Sequence, residues 1–90
     1  MTNGKGYNFR RIMNSAEDLL QHLPLIEIAG THRVLIENYN CVTAYTNTEI
    51  SVRVKYGDIK IYGEGLNIVK ISNQQMVING CFRQVLLCKR

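Results

Sequence analysis

From Glu49 to Tyr62 apolar and polar side chains alternate. Ile50, Val52, Val54 and Tyr56 fall in one register, and Ser51, Arg53 and Lys55 in the other. Period two marks a half-buried strand. Gly57-Asp58 interrupts the pattern, and Ile59 and Ile61 then resume it against Lys60 and Tyr62. β-branched residues fill the inward set and suit a pleated, packed surface. The short glycine-containing break predicts a β-hairpin that turns at Gly57-Asp58. A hairpin alone is marginal, so its apolar face calls for further strands.

Upstream the period is different. Residues 1–8 are polar, with two glycines, and are expected to form a flexible tail. Over 9–23, Ile12, Ala16, Leu19, Leu20 and Leu23 recur at spacings of three and four, one stripe of an amphipathic helix. Ser15 followed by Asp18 resembles a capping arrangement, and Glu17 and Asp18 suit the positive end of a helix dipole. A start at Asn8 is the alternative, with Arg10 and Arg11 then on the first turn. Pro24 stops the helix.

Residues 24–90 form a single β domain by this reading. Short strands are predicted around Ile26–Ile28, Val34–Ile36 and Val42–Tyr45, then the central hairpin, then Leu66–Ile71, Met76–Ile78 and Phe82–Cys88. Glu64-Gly65 and Asn79-Gly80 are read as breaks between strands, and Ser72–Gln75 as a turn. Seven or eight strands after one helix predict an all-β body, an antiparallel meander curled into a small sandwich or open barrel. A short β-solenoid is the rival, because I-K-I-Y-G-E-G-L and M-V-I-N-G-C-F-R echo each other.

Composition narrows the function classes. Ninety residues make one domain, which buries only about 60% of its unfolded surface. The hydrophobic fraction of 46% is that of a globular chain. No run approaches the ~18 apolar residues of a membrane span, and no apolar signal core is visible near the N-terminus. A cytoplasmic protein is therefore expected. Cys41, Cys81 and Cys88 are odd in number and contain no C-x-x-C pair, so they are expected to be structural thiols, with Cys81 and Cys88 in apolar surroundings. Neither His22 nor His32 has metal-ligand spacing to a cysteine, so no metal is expected. No phosphate-binding loop, nucleophile elbow or paired acid and base can be found, so neither catalysis nor a cofactor is expected.

Two surfaces are candidates for binding. Arg53, Lys55, Lys60 and Tyr62 are expected to project from one face of the hairpin, where basic residues and an aromatic could follow phosphates or lipid headgroups. The competing reading is a solvated face whose lysines discourage edge pairing. The net charge of +4 serves solubility as well as weak anion attraction, and nucleic acid is not the expected partner. The other candidate is the helix. Its stripe is either core or a docking element, with Arg10, Arg11, Ile12, Leu19, Leu20 and Leu23 meeting a partner or acidic headgroups. Pairing of a sheet edge with another copy would give a homo-oligomer.

R-V-L-I-E-N-Y at 33–39, Y-T-N-T-E-I-S-V-R-V at 45–54, Y-G-D-I-K-I-Y-G-E-G-L at 56–66 and M-V-I-N-G at 76–80, taken together, resemble the YabP/YqfC family of sporulation proteins, with the YqfC branch nearer. The likeness covers about 24–88 and rests mostly on turns and core positions. Two places depart from the family pattern. Asn40-Cys41 stands where a Lys-Gly-like turn is expected, and Cys81-Phe82 where Lys-Ile-like pairs are usual. The resemblance implies a non-enzymatic protein of endospore formers, made in the mother cell. It further implies an adaptor or structural module in cortex or coat development, peripheral at the forespore-facing membrane or within the assembling envelope, with another sporulation protein, one bound to the membrane, as the expected partner. The alternative is a small β module that binds an acidic ligand, nucleic acid or anionic lipid, through the basic strand face.

Overall fold

A computed structural model describes residues 23–90. The expected tail over 1–8 and the helix over 9–23 lie outside the described residues, Leu23 excepted. Six strands follow: β1 (Leu25–Ala29), β2 (Arg33–Glu37), β3 (Tyr39–Tyr45), β4 (Glu49–Val54), β5 (Gly57–Ile71) and β6 (Gln75–Lys89). They form one open sheet in the order β1-β2-β6-β5-β4-β3, and every pairing is antiparallel. The solenoid alternative is thereby excluded, since its coils stack in parallel. The simple meander is also corrected. The β1–β2 hairpin pairs with β6, and Asn38, with φ of 62°, redirects the chain from β2 to β3 at the opposite end of the sheet.

There are six strands, fewer than expected, because two predicted breaks are bends inside long strands. β5 and β6 each run for 15 residues, through Glu64-Gly65 and Asn79-Gly80 respectively. Their register shifts between Tyr62 and Gly63, again between Glu64 and Asn67, and a third time between Ile68 and Lys70. Such bulges bend a strand without ending it. Gly63 permits the bend. A Cβ there would lie 2.2 Å from the Cys81 carbonyl oxygen on β6.

The bend divides the sheet into two halves. One holds β3, β4 and the Gly57–Tyr62 part of β5 against the end of β6. The other holds β1 and β2 against the start of β6 and the Asn67–Ile71 part of β5. Tyr39 and Tyr45, at opposite ends of β3, reach Ser72 and Ile68 at opposite ends of the distal part of β5. A flat sheet would carry those pairs apart, so the halves fold towards each other. The predicted curl thus takes the form of a bend in one open sheet.

Alternation now explains the core. Ile50, Val52, Ile59 and Ile61 of one half and Val34, Ile36, Met76 and Ile78 of the other are all at most 1% exposed, in one cluster. Burying a side chain of this size stabilises by about 1.5–3 kcal/mol. Phe82, Val85, Ile26 and Ile68 pack at its margin. Phe82, one of the departures from the family pattern, therefore extends the apolar face. The other, Asn40-Cys41, lies inside β3 at a register shift, so no turn occurs there.

Candidate interaction surface

The central hairpin turns two residues earlier than the sequence suggests. Val54 pairs with Gly57, leaving Lys55-Tyr56 as the turn, with φ of 72° at Tyr56. Positive φ ordinarily selects glycine. Here Gly57 is needed one position later, because a Cβ on it would lie 2.2 Å from the Cys88 carbonyl oxygen. Glycine serves the close approach of β6, and Tyr56 takes the strained turn position with its ring 65% exposed.

This shift rearranges the predicted basic face. Arg53, Lys60 and Tyr62 do share the outer side of β4 and β5, but Lys55 belongs to the turn, with its Nζ 5.3 Å from the centre of the Tyr56 ring. Asp58 pairs directly across from Arg53, and its Oδ1 lies 3.5 Å from the Arg53 Nε. Asp58 Oδ1 is buried with no hydrogen-bond partner, so the contact is an ion pair only. Arg90 Nε stands 3.9 Å from Asp58 Oδ2. The Arg90 guanidinium also donates to the Val54 carbonyl at 3.0 Å, and the Arg90 amide donates to the Tyr56 carbonyl at 3.1 Å. Arg90, its side chain still 46% exposed, thus braces the turn. Two arginines share one carboxylate, so the face is less cationic than its lysines and arginines imply. Half-exposed pairs of this kind contribute about 0–1 kcal/mol.

The sequence could have yielded Asp58. Once the turn is placed at Lys55-Tyr56, Arg53 and Asp58 are cross-strand neighbours, and opposite charges there attract. Arg90 had no such signal. Its role depends on β6 returning beside Gly57, a long-range fact. Of the helix candidates, Arg10, Arg11, Ile12, Leu19 and Leu20 lie outside the described residues. Leu23 is described, and its carbonyl accepts a hydrogen bond from Asn38 Nδ2 at 2.9 Å. The thiol reading needs correction too. Cys41 and Cys81 are exposed and only Cys88 is half-buried, because Cys81 points outward at the bend while Phe82 turns in.

Chemistry-bearing groups stay dispersed. No group of three or more His, Cys, Asp or Glu that could hold a metal occurs among the described residues. Among them too, no helix is long and apolar enough to cross a membrane. The larger cavity, about 690 Å³, is an open trough outside the core, with Arg33 and Lys70 facing Glu27 over a floor of Leu35 and Val77. Opposed charges at its rim give it no single preference. A second cavity, about 270 Å³, opens between β1 and β6, with Pro24 and Ile26 on one wall, Leu87 on the other, and Val54 and Ile59 beneath.

The two places where the bent sheet meets itself differ in chemistry. Where β3 faces β5, the Tyr45 hydroxyl accepts from the Ile68 amide at 3.0 Å and donates to Asn67 Oδ1 at 2.9 Å, and the Tyr39 hydroxyl donates to the Ser72 carbonyl. Where β1 faces β6, the Phe82 amide donates to the Thr31 carbonyl just beyond β1 at 2.8 Å, no side-chain bridge follows among the described residues, and Leu86 and Leu87 stand 39% and 72% exposed. The arrangement offers surfaces and edges for contact. Neither the curated proteins nor the solved structures give a significant match. The family model for the YabP family, however, matches residues 22–88, which is every strand described above, and the chain therefore belongs to the YabP family.

Proposed function

We propose that this protein is a non-enzymatic sporulation protein, a structural or adaptor module in spore-envelope development that acts by binding another protein. The observation that carries this reading is membership of the YabP family across the whole sheet. In this proposal the protein works in the mother-cell cytoplasm and sits peripherally at the forespore-facing membrane, recruited by a membrane-bound sporulation partner during cortex or coat formation. The exposed Leu86 and Leu87 support a contact-making role. The acidic-ligand alternative is weakened by Asp58, whose carboxylate lies against both Arg53 and Arg90 and offsets one of their two charges.

Deleting the gene in an endospore former and scoring heat-resistant spores tests the spore role. Loss of resistance with an incomplete cortex or coat is expected, and full resistance would sink it. Affinity capture from sporulating cells, with the full chain and with residues 1–22 removed, then tests recruitment by a membrane protein. Arg53→Glu with Lys60→Glu decides between the two readings. The adaptor reading expects normal spores, whereas the acidic-ligand reading expects a defect together with lost binding to vesicles of phosphatidylglycerol.

A further inference from the structure

We infer that the seam between β1 and β6 takes an added strand, an extended protein segment with an apolar centre and an acidic end at the cavity. The inference rests on the binding-module reading only in taking the ligand to be protein.

The first observation is an unused edge. From Gln84 to Lys89, β6 pairs with β5 alone, and β1 pairs with β2 alone. Each therefore carries a row of amides and carbonyls facing the seam with no strand on that side among the described residues. The second is the absence of protection. Free edges are usually blunted by charge, proline or bulges. β3 has two register shifts, and the distal part of β5 is capped by two tyrosine hydroxyls. Val85, Leu86, Leu87 and Cys88 form an uncharged run with no proline.

The third observation separates strand addition from flat docking. Leu86 pairs across from outward Lys60, and Leu87 across from core-facing Ile59, so these neighbours point to opposite faces of the sheet. Both are exposed. A surface laid on one face would cover one of them. A strand laid alongside covers both, since its own side chains alternate between the faces. Beside Leu87 lies the cavity of about 270 Å³ between β1 and β6, which suits one inward apolar side chain of the incoming segment. Main-chain pairing supplies affinity in such complexes, and pockets for alternate side chains supply selectivity.

Charge chooses the occupant. Lys55 and Lys89 rim the cavity, whereas Arg83 at the other end of the edge is held in an ion pair by Glu64. The uncharged Val85–Cys88 run of a second copy would bring these lysines no carboxylate. A segment with glutamate or aspartate at its cavity end meets them instead.

The test uses the full chain and two blocked peptides of alternating valine and isoleucine, one closed at each end by glutamate and the other by lysine. Titration followed by NMR is expected to show saturable binding of the glutamate peptide. It should be about tenfold tighter than the lysine peptide, as complementary rim charge predicts, with slowed amide exchange confined to β1 and Val85–Cys88. Leu87→Lys and Leu86→Lys are expected to weaken capture by about tenfold or more while leaving the unfolding midpoint near that of the parent. Equal binding of the two peptides, protection of the β3 or β5 edge instead, or no saturable binding would overturn the proposal. So would sedimentation as a dimer with Val85–Cys88 already protected. A chain that captures the peptide yet is dispensable for resistant spores sinks the spore role and leaves the seam standing. A chain essential for spores that captures neither peptide sinks the seam alone.

Discussion

The two seams of this bent sheet differ in the side chains that face each other across them. At the β3–β5 seam, aromatic side chains end in hydroxyls that reach across to β5 backbone groups. At the β1–β6 seam the facing side chains are aliphatic, Ile26 and Leu87, with no polar end to bridge the gap. A tyrosine at an edge packs its ring and satisfies the neighbouring backbone, whereas a leucine does only the first. One seam is thus finished among the described residues, and the other is the one at which we place an added strand.

Substitutions can break or sharpen this contrast. Both seams depend on one core, so Ile36→Ala and Ile50→Ala, drawn from the two halves and both fully buried, should cost similar amounts, about 3–4 kcal/mol each. Urea unfolding should stay a single transition with an unchanged slope. Two transitions would show that the halves are separable. Gly63→Ala attacks the bend that creates the seams. A Cβ at 2.2 Å from the Cys81 carbonyl forces the ribbon apart, at a cost of about 3 kcal/mol measured in the same way. Tyr45→Phe removes the hydroxyl that serves Asn67 and Ile68, with an expected loss of about 1 kcal/mol. Faster exchange of the Ile68 amide should accompany it, and no change would mean the seam is closed by packing alone. Leu87→Lys should be close to neutral, within about 0.5 kcal/mol, because that side chain is 72% exposed. A large loss there would show that the β1–β6 seam is already closed.

Legibility followed the range of the interactions. Period-two patterning identified Ile50, Val52, Ile59 and Ile61 as core, and all four are buried. It located the turns after Ala29, Tyr45 and Ile71, because those breaks are local and polar. It misread Glu64-Gly65 and Asn79-Gly80, since a glycine that bends a continuous strand has the same composition as one that ends it. Only the register across β5 and β6 distinguishes the cases. The pairing of β2 with β6 had no signature in either strand, and so the strand order was out of reach. The basic face was half legible. Arg53, Lys60 and Tyr62 follow from parity, whereas Asp58 and Arg90 entered the site through a turn position and a chain reversal.

β6 occupies the middle of the sheet, pairing with β2 along its first part and with β5 along nearly its whole length, yet it is the last of the six described strands along the chain. The β1–β2 half needs Gln75–Asn79 and the β3–β4 half needs β6 through Lys89, so neither is completed before β6 emerges from the ribosome. The β1–β2 and β3–β4 hairpins must wait, each with one apolar side in water, for a partner made after them. Nascent chains of this protein should therefore stay sensitive to protease and open to holdase chaperones until β6 has emerged, and acquire resistance abruptly from that point.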